Sequence, residues 1–266
     1  MSPLLLQPAR TAAAETAARL APRVEPEVSA VVPAFNEIES LPFLLPELVR
    51  ALEGTGRRFE VILVDDGSRD GSGDWIAAAA RQDPRVRALL LARNSGQSAA
   101  LVAGFRRARG AVLVALDADG QNDPADIPRL LEALRDADVA SGVRALRRDT
   151  WVRRLSSRIA NATRRAVLGD RISDVGCTLK AYRRDALRSL PHFNGFHRFL
   201  PALCQFRGAR VVEVAVSHRP RRHGVSKYGV GNRLWRGLRD LGGVLWLKSR
   251  LLPAVPEEWI DGSTGD

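Results

Sequence analysis

An apolar run from Ala111 to Leu116 ends in two carboxylates spaced i, i+2, as Asp117-Ala118-Asp119. If extended backbone continues through them, both side chains point the same way, with Cα atoms about 6.5 Å apart. Two like charges so placed are costly unless a cation sits between them. A divalent metal with oxygen ligands answers that need, and when it is magnesium it is usually shared with substrate phosphates. Taken alone, Asp-x-Asp reads more simply as two solvated acids in a loop, because metal loops need more than two ligands. The surrounding elements decide between the two.

Chemistry of this kind has to be positioned, and the sequence alternates apolar runs with helical patterns. Residues 28–33 form a short apolar run stopped by Pro33. Leu41, Leu44, Leu45, Leu48 and Leu52 follow at helical spacing, with Gly54 and Gly56 as the stop. Residues 59–64 read as a second buried strand, and Ser72 is placed to cap a helix reaching Arg81. Residues 86–91 make a third strand before an Ala-rich helix to about Ala108. Residues 111–116 make a fourth, before a helix that starts at Pro124 and Asp126 and reaches Leu134; 139–142 is a short fifth. This alternation predicts a doubly wound α/β sheet, largely parallel. Ligands in such sheets bind beyond the carboxyl ends of the strands. Polar clusters stand at four of those ends: Pro33-Ala-Phe-Asn36-Glu37, Asp65-Asp66, Arg93-Asn94-Ser95-Gly96 and Asp117-Ala-Asp119. Four such coincidences count against the solvated-loop reading of each.

No Gly-x-Gly-x-x-Gly follows the first strand, and no Gly-x-x-x-x-Gly-Lys-[Ser/Thr] occurs, so dinucleotide and P-loop chemistry lack their usual signal. Phosphates would instead be held by metal and cations. Asp66 is suited to accept a hydrogen bond from an N–H on a base edge; capping the Gly67-Ser68 turn is its alternative.

The formal net charge of +11 is unevenly spread. Up to residue 137 there are 16 Lys+Arg against 19 Asp+Glu, and from 138 onward 25 against 11. The basic half should face an anion such as nucleic acid, an acidic membrane surface or a phosphorylated substrate. Nucleic acid explains the charge but not the strand-end clusters, and stacking aromatics are not interleaved with the cations, so no nucleic-acid partner is expected. Cys177 and Cys204 stand in no metal or redox spacing and read as buried free thiols. No stretch approaches the ~18 apolar residues of a membrane span, and no basic n-region precedes Leu4-Leu5-Leu6, so neither a span nor a signal peptide is expected.

The motifs Pro33-x-x-Asn36-Glu37, Val64-Asp65-Asp66-Gly67-Ser68-x-Asp70-Gly71-Ser72, Asp117-x-Asp119 and Gln121-Asn-Asp-Pro124 together resemble family 2 glycosyltransferases of the GT-A fold. Asp174-Val-Gly-Cys-x-Leu-Lys180 and Arg222-His-Gly224-x-Ser226-Lys227-Tyr228 narrow the likeness to the polyprenyl-phosphate branch, the dolichyl-phosphate mannosyltransferase-like enzymes. The resemblance covers about residues 28–250. It implies a Rossmann-like, mostly parallel sheet with flanking helices, and inverting transfer of a sugar from a UDP- or GDP-linked donor to a polyprenyl phosphate of undecaprenyl type. By residue, it implies that Pro33, Asn36 and Glu37 line the nucleoside pocket, that Asp66 reads the base, and that Arg93 and Gln97 border it. Asp117, Asp119 and Gln121 would hold Mg2+ or Mn2+ against the donor diphosphate, Asp174 would serve the acceptor site, and Arg222, Ser226 and Lys227 would close over phosphates. The alternative acceptor is a glycan or other hydroxyl in cell-envelope polysaccharide synthesis, for which Asp174 would have to be a general base. A turn or helix cap near Ser173 is the plainer role for Asp174.

Many relatives carry transmembrane helices at the C-terminus, whereas this sequence has one amphipathic stretch. The expected organisation is a flexible tail over 1–27, a catalytic domain over 28–228, an amphipathic membrane-interface helix over 229–252 and a tail over 253–266. Arg144, Arg147, Arg148, Arg153, Arg154, Arg158, Arg164, Arg165 and Arg171 would offset the repulsion between two phosphates, some forming only a solvated face. Arg198 suits the rim of a lipid-facing groove at the acceptor site. His192, His197, His218 and His223 read as structural, none being paired at ligand spacing. In the last stretch, Leu234, Trp235, Leu238, Leu241, Leu245 and Trp246 share one side among Arg233, Arg236, Arg239, Lys248 and Arg250, as in a helix lying in a bilayer interface. Packing on its own domain, or a dimer contact in a homo-oligomer, competes with that. The expected location is cytoplasmic, peripheral on the inner face of the membrane.

Overall fold

The computed structural model describes residues 25–145, 164–188, 190–220 and 231–250, the stretch 231–238 by its backbone alone. Seven strands form one sheet: β1 (Val28–Ala34), β2 (Phe59–Asp65), β3 (Val86–Leu90), β4 (Val112–Ala115), β5 (Val139–Arg144), β6 (Lys180–Arg183) and β7 (Val211–Val216), in the order β3-β2-β1-β4-β6-β5-β7. Four of the six pairings are parallel; β6 runs antiparallel to both β4 and β5. Every residue of β1 is buried, as an apolar strand covered on both faces must be.

One face of the sheet is covered by α1 (Leu41–Glu53), α2 (Ser72–Gln82) and α4 (Ile127–Ala133), through Leu41, Leu44, Leu48, Leu52, Ile76, Ile127 and Leu130. The other is covered by α3 (Gln97–Arg107), a short α5 (Arg184–Leu187), α6 (Leu200–Phe206) and α7 (Gly231–Arg250), through Leu101, Leu200, Leu203 and Val244. Helix α3 lies so close to the sheet that a Cβ on Gly104 would come within 2.3 Å of Val31 Cγ1.

Strand boundaries follow pairing rather than hydropathy. β4 stops at Ala115, where its partner β6 begins with Lys180, although Leu116 is still buried. β5 extends to Arg144 because β7 pairs with it as far as Val216. Ser72 does not cap α2. Gly71 takes the N-cap position with φ 92°, and the Ser72 hydroxyl donates to Asp70 (2.7 Å) while accepting from the Glu37 amide (2.9 Å). The serine is drawn into the neighbouring loop, and the left-handed conformation falls to the glycine.

α7 docks on the body. Val244 is buried, Leu241 and Leu247 pack beside it, Asp240 pairs with Arg198 at 2.7 Å, and Lys248 donates to the Leu168 carbonyl at 2.5 Å. Leu245 and Trp246 remain 43% and 63% exposed. Among the described residues no helix is long and apolar enough to cross a membrane. Cys177 and Cys204 are buried free thiols.

Candidate active site

The loops after β1 and β2 are laced together by short polar side chains. The Asn36 amide donates to Ser68 Oγ (2.8 Å), Asn36 Oδ1 accepts from the Arg69 amide (2.8 Å), and the Ile38 amide donates to Asp70 (3.1 Å). Asn36 holds φ 53°, left-handed backbone that asparagine tolerates better than most residues. The Asp65-to-Ser72 motif is therefore largely the scaffold of this rim. One Asp65 oxygen accepts from the Ser68 amide at 3.1 Å; the other, Oδ1, is buried without a partner among the described residues.

Asp66 is buried, and its two oxygens accept from the amides of Ser95 and Gly96, both at 2.8 Å. It clamps the loop after β3, and each oxygen keeps a lone pair. Gly67, at φ 71°, lies against the Arg93-Asn94 backbone; a Cβ there would come within 2.6 Å. Arg93 is exposed on this loop.

At the end of β4, Asp117 Oδ1 accepts from Gln97 Nε2 at 2.6 Å. Burial, with Asp119 and Glu37 nearby, pushes the Asp117 carboxyl up to about 7, against the pull of the Thr178 hydroxyl and Lys180. Asp119 accepts from the Gln121 amide (3.1 Å), and the Gln121 carbonyl accepts from the Arg219 amide (2.8 Å). Asp119 and Gly120 line a small cavity of about 30 Å³ with Ser40, Phe43, Glu47 and Arg219. Among the described residues no three His, Cys, Asp or Glu groups converge, so the acid pair needs further oxygen donors to complete a metal shell.

The antiparallel strand β6 brings a second segment against this end. Asn122 Nδ2 donates to Thr178 Oγ1 (2.7 Å), and Lys180, 2% exposed, donates to the Cys177 carbonyl. Burial lowers the Lys180 pKa, while Cys177, Asp174 and Asp117 oppose that. Asp174 is also buried, and Arg144 grips it with two bonds of 2.8 Å, Nε to Oδ2 and Nη2 to Oδ1. The Gly176 amide adds a third at 3.1 Å.

Behind α3, Ser98 Oγ accepts from the Gly195 amide (2.9 Å) and meets His197 Nδ1 at 2.8 Å; the arrangement that uses the one hydroxyl proton has Ser98 donating to His197. Burial first, then Arg198 and Lys180, lower the His197 pKa to about 3, so its ring stays neutral. Arg198 is turned toward Asp240 of α7.

Asn36, Glu37, Asp66, Arg93, Gln97, Asp117, Asp119 and Gln121 thus gather at the carboxyl ends of β1–β4, with Pro33 inside β1. Asp174, like Asp117, lies within the field of Lys180, and Arg198 joins the turn before α6 to α7. Arg222, Ser226 and Lys227, and the arginines at 147, 148, 153, 154 and 158, lie outside the described residues. Sequence reasoning gave no role to Lys180, Thr178 or Arg219, and it set Arg144 among the cations facing phosphates, whereas Arg144 is paired with Asp174. A lysine amid Leu179, Ala181 and Tyr182 was the available signal for the first: a cation in a buried strand requires an acid nearby.

A family model described as glycosyl transferase family 2 matches residues 29–190. An undecaprenyl-phosphate 4-deoxy-4-formamido-L-arabinose transferase of Edwardsiella ictaluri is 42% identical over 205 residues, covering 76% of this chain and 63% of the relative. Its counterpart in Pseudomonas paraeruginosa is 43% identical over 203 residues, covering 76% and 60%. The chain therefore spans about three fifths of the length of these curated relatives. Among solved structures, glucosyl-3-phosphoglycerate synthase of Mycobacterium tuberculosis superposes with a TM-score of 0.64 at 20% identity, covering 94% of this chain and 88% of that one. A mannosyltransferase of Pyrobaculum calidifontis, solved with GDP-mannose and Mn2+, gives 0.60 at 19%, covering 88% and 67%. These two likenesses bear on the fold, a GT-A-type α/β sheet.

Proposed function

The chain belongs to glycosyl transferase family 2, and we propose that it transfers a sugar from a UDP- or GDP-linked donor to a polyprenyl phosphate of undecaprenyl type, with inversion at the anomeric carbon. The observation that carries this reading is the acid pair at the end of β4, in a chain 42% identical to an undecaprenyl-phosphate sugar transferase.

The donor set fits a divalent cation. Burial first, then the neighbouring Asp119, pushes the Asp117 carboxyl up to about 7, and a cation held between the two acids would offset both. Bound by Asp117, Asp119 and Gln121, Mg2+ or Mn2+ would supply Lewis-acid neutralisation of the leaving diphosphate. Gln97 fixes the orientation of Asp117 through its 2.6 Å bond. Asn36, Glu37, Pro33 and Asp66 border the nucleoside, with Arg93 above it. Arg222, Ser226 and Lys227 would supply the cations and hydroxyl that meet charge building on the leaving group.

The acceptor phosphate attacks from the face opposite the leaving group. With a second pKa of about 6 it is mostly dianionic at pH 7 and needs no strong base. The grip of Arg144 on Asp174 favours this acceptor over a hydroxyl, since both carboxylate oxygens are committed to a cation. Asp174 then orients Arg144 on the acceptor side of the site. Bilayer contact comes through the exposed Leu245-Trp246 face of α7, on the inner leaflet.

The test is purified protein with radiolabelled UDP- and GDP-sugars and undecaprenyl phosphate, with and without Mn2+. Label should enter the organic phase only when lipid and metal are both present. No transfer from any donor, with Asp117→Asn and Asp119→Asn proteins binding nucleotide as well as wild type, would refute the assignment.

A further inference from the structure

Alongside α3 runs an open cleft of about 400 Å³ that neither the donor chemistry nor the acid pair uses. One wall is a single stripe of the helix and the loop before it: Ser95, Ser98, Ala99, Val102, Ala103 and Arg106. From Ser98 to Arg106 these recur at helical spacing over nine residues, a span of about 12 Å. The opposite wall is the turn before α6, with Phe193 and Phe196 packed edge to face at 6.3 Å and His192 against Phe196 at 5.7 Å.

The two ends differ. At one end Ser95 gives its amide to Asp66, Gly96 lies beside Asn194, and Gln97, the next residue, touches Asp117. That end adjoins the residues that hold Asp66 and Asp117. The middle is methyl groups and phenyl rings. At the other end Arg106 faces His192, whose pKa is lowered by burial and by that cation, and Arg107 follows on the last turn of α3. The cleft is thus polar where it meets the site, apolar along its length and cationic at its outer mouth. Its volume lies within the roughly 300–1,000 Å³ of small-ligand sites.

We propose that this cleft binds the first isoprene units of the acceptor, with the phosphate beyond the Ser98 end on the Asp174–Arg144 side and the chain leaving past Arg106 toward the bilayer. The proposal rests on the polyprenyl-phosphate reading above and adds to it where the chain lies. The apolar middle suits a methyl-branched hydrocarbon and rejects a second sugar, whose hydroxyls would lose water without replacement. A cationic mouth matches the anionic leaflet from which such a chain must enter.

Ala99→Trp and Ala103→Trp fill the middle of the cleft from half-exposed positions, and thermal melting reports whether each variant is folded. Transfer is measured against isoprenyl phosphates of two, three and four units at saturating donor. In the wild type KM should fall about tenfold across the series. In the tryptophan variants KM for the longest acceptor should rise about tenfold, so that the length dependence collapses. Photoreactive geranylgeranyl phosphate should label residues 99–106 and 192–196. Length dependence untouched by both substitutions, or label elsewhere with transfer intact, overturns the cleft and leaves the transferase reading standing. Label at those residues without any transfer keeps the cleft and removes the transferase reading, and neither label nor transfer overturns both.

Discussion

Single residues in this site are defined by what holds them. Asp174 sits buried under Arg144, and removing one partner of a buried pair leaves an uncompensated charge. Arg144→Met should therefore cost about 3–5 kcal/mol in urea unfolding; a loss below about 1 kcal/mol would mean that water replaces the guanidinium. His197 titrates in the other direction from a salt-bridged histidine. Its pKa is lowered from 6.5 to about 3, so the fold binds the neutral ring and the unfolded chain binds the proton first. The contribution is whole above pH 6.5 and is lost as pH falls toward 3. Between pH 7 and 5 it amounts to at most about 2 kcal/mol. His197→Gln should remove that difference from the pH dependence of unfolding; an unchanged dependence would refute burial as its cause.

At the scale of elements, the close approach of α3 to the sheet sets the site, because Gln97 reaches Asp117 only from the first turn of that helix. Gly104 allows the approach. Gly104→Ala places a methyl group within 2.3 Å of Val31 Cγ1 and should cost about 1–3 kcal/mol of stability through overpacking. It should also weaken nucleotide binding, as Gln97 is levered away from Asp117. A variant as stable as wild type, with unaltered nucleotide affinity, would show that the helix shifts freely.

Across the whole molecule, charge and topology divide the work. The sheet gathers carboxylates at the ends of its parallel half, and β6, inserted antiparallel, carries Lys180 into their field. Helix α7 both closes the core with Val244 and exposes Trp246. Deleting α7 would uncover apolar surface, so the informative variant is Leu245→Glu with Trp246→Glu. It should melt within a few degrees of wild type and lose at least tenfold in affinity for anionic vesicles. The remaining binding should weaken with added salt, as exposed charges are screened beyond a Debye length of about 10 Å at 0.1 M. Equal vesicle binding by the double variant would refute contact through this face.

Hydrophobic periodicity by itself determined the alternation of strands and helices, and with it the end of the sheet where Asp66, Asp117 and Asp119 had to stand. That pattern is local, written in spacings of two and of three to four residues. The partners of those acids were decided by tertiary structure. Gln97 and Thr178 on Asp117, Ser95 and Gly96 on Asp66, and Arg144 on Asp174 are separated from them by 20 to 61 residues in sequence. No local pattern encodes which cation or amide a buried carboxylate meets; packing decides it, because an acid taken out of water must find its partner wherever the fold brings one.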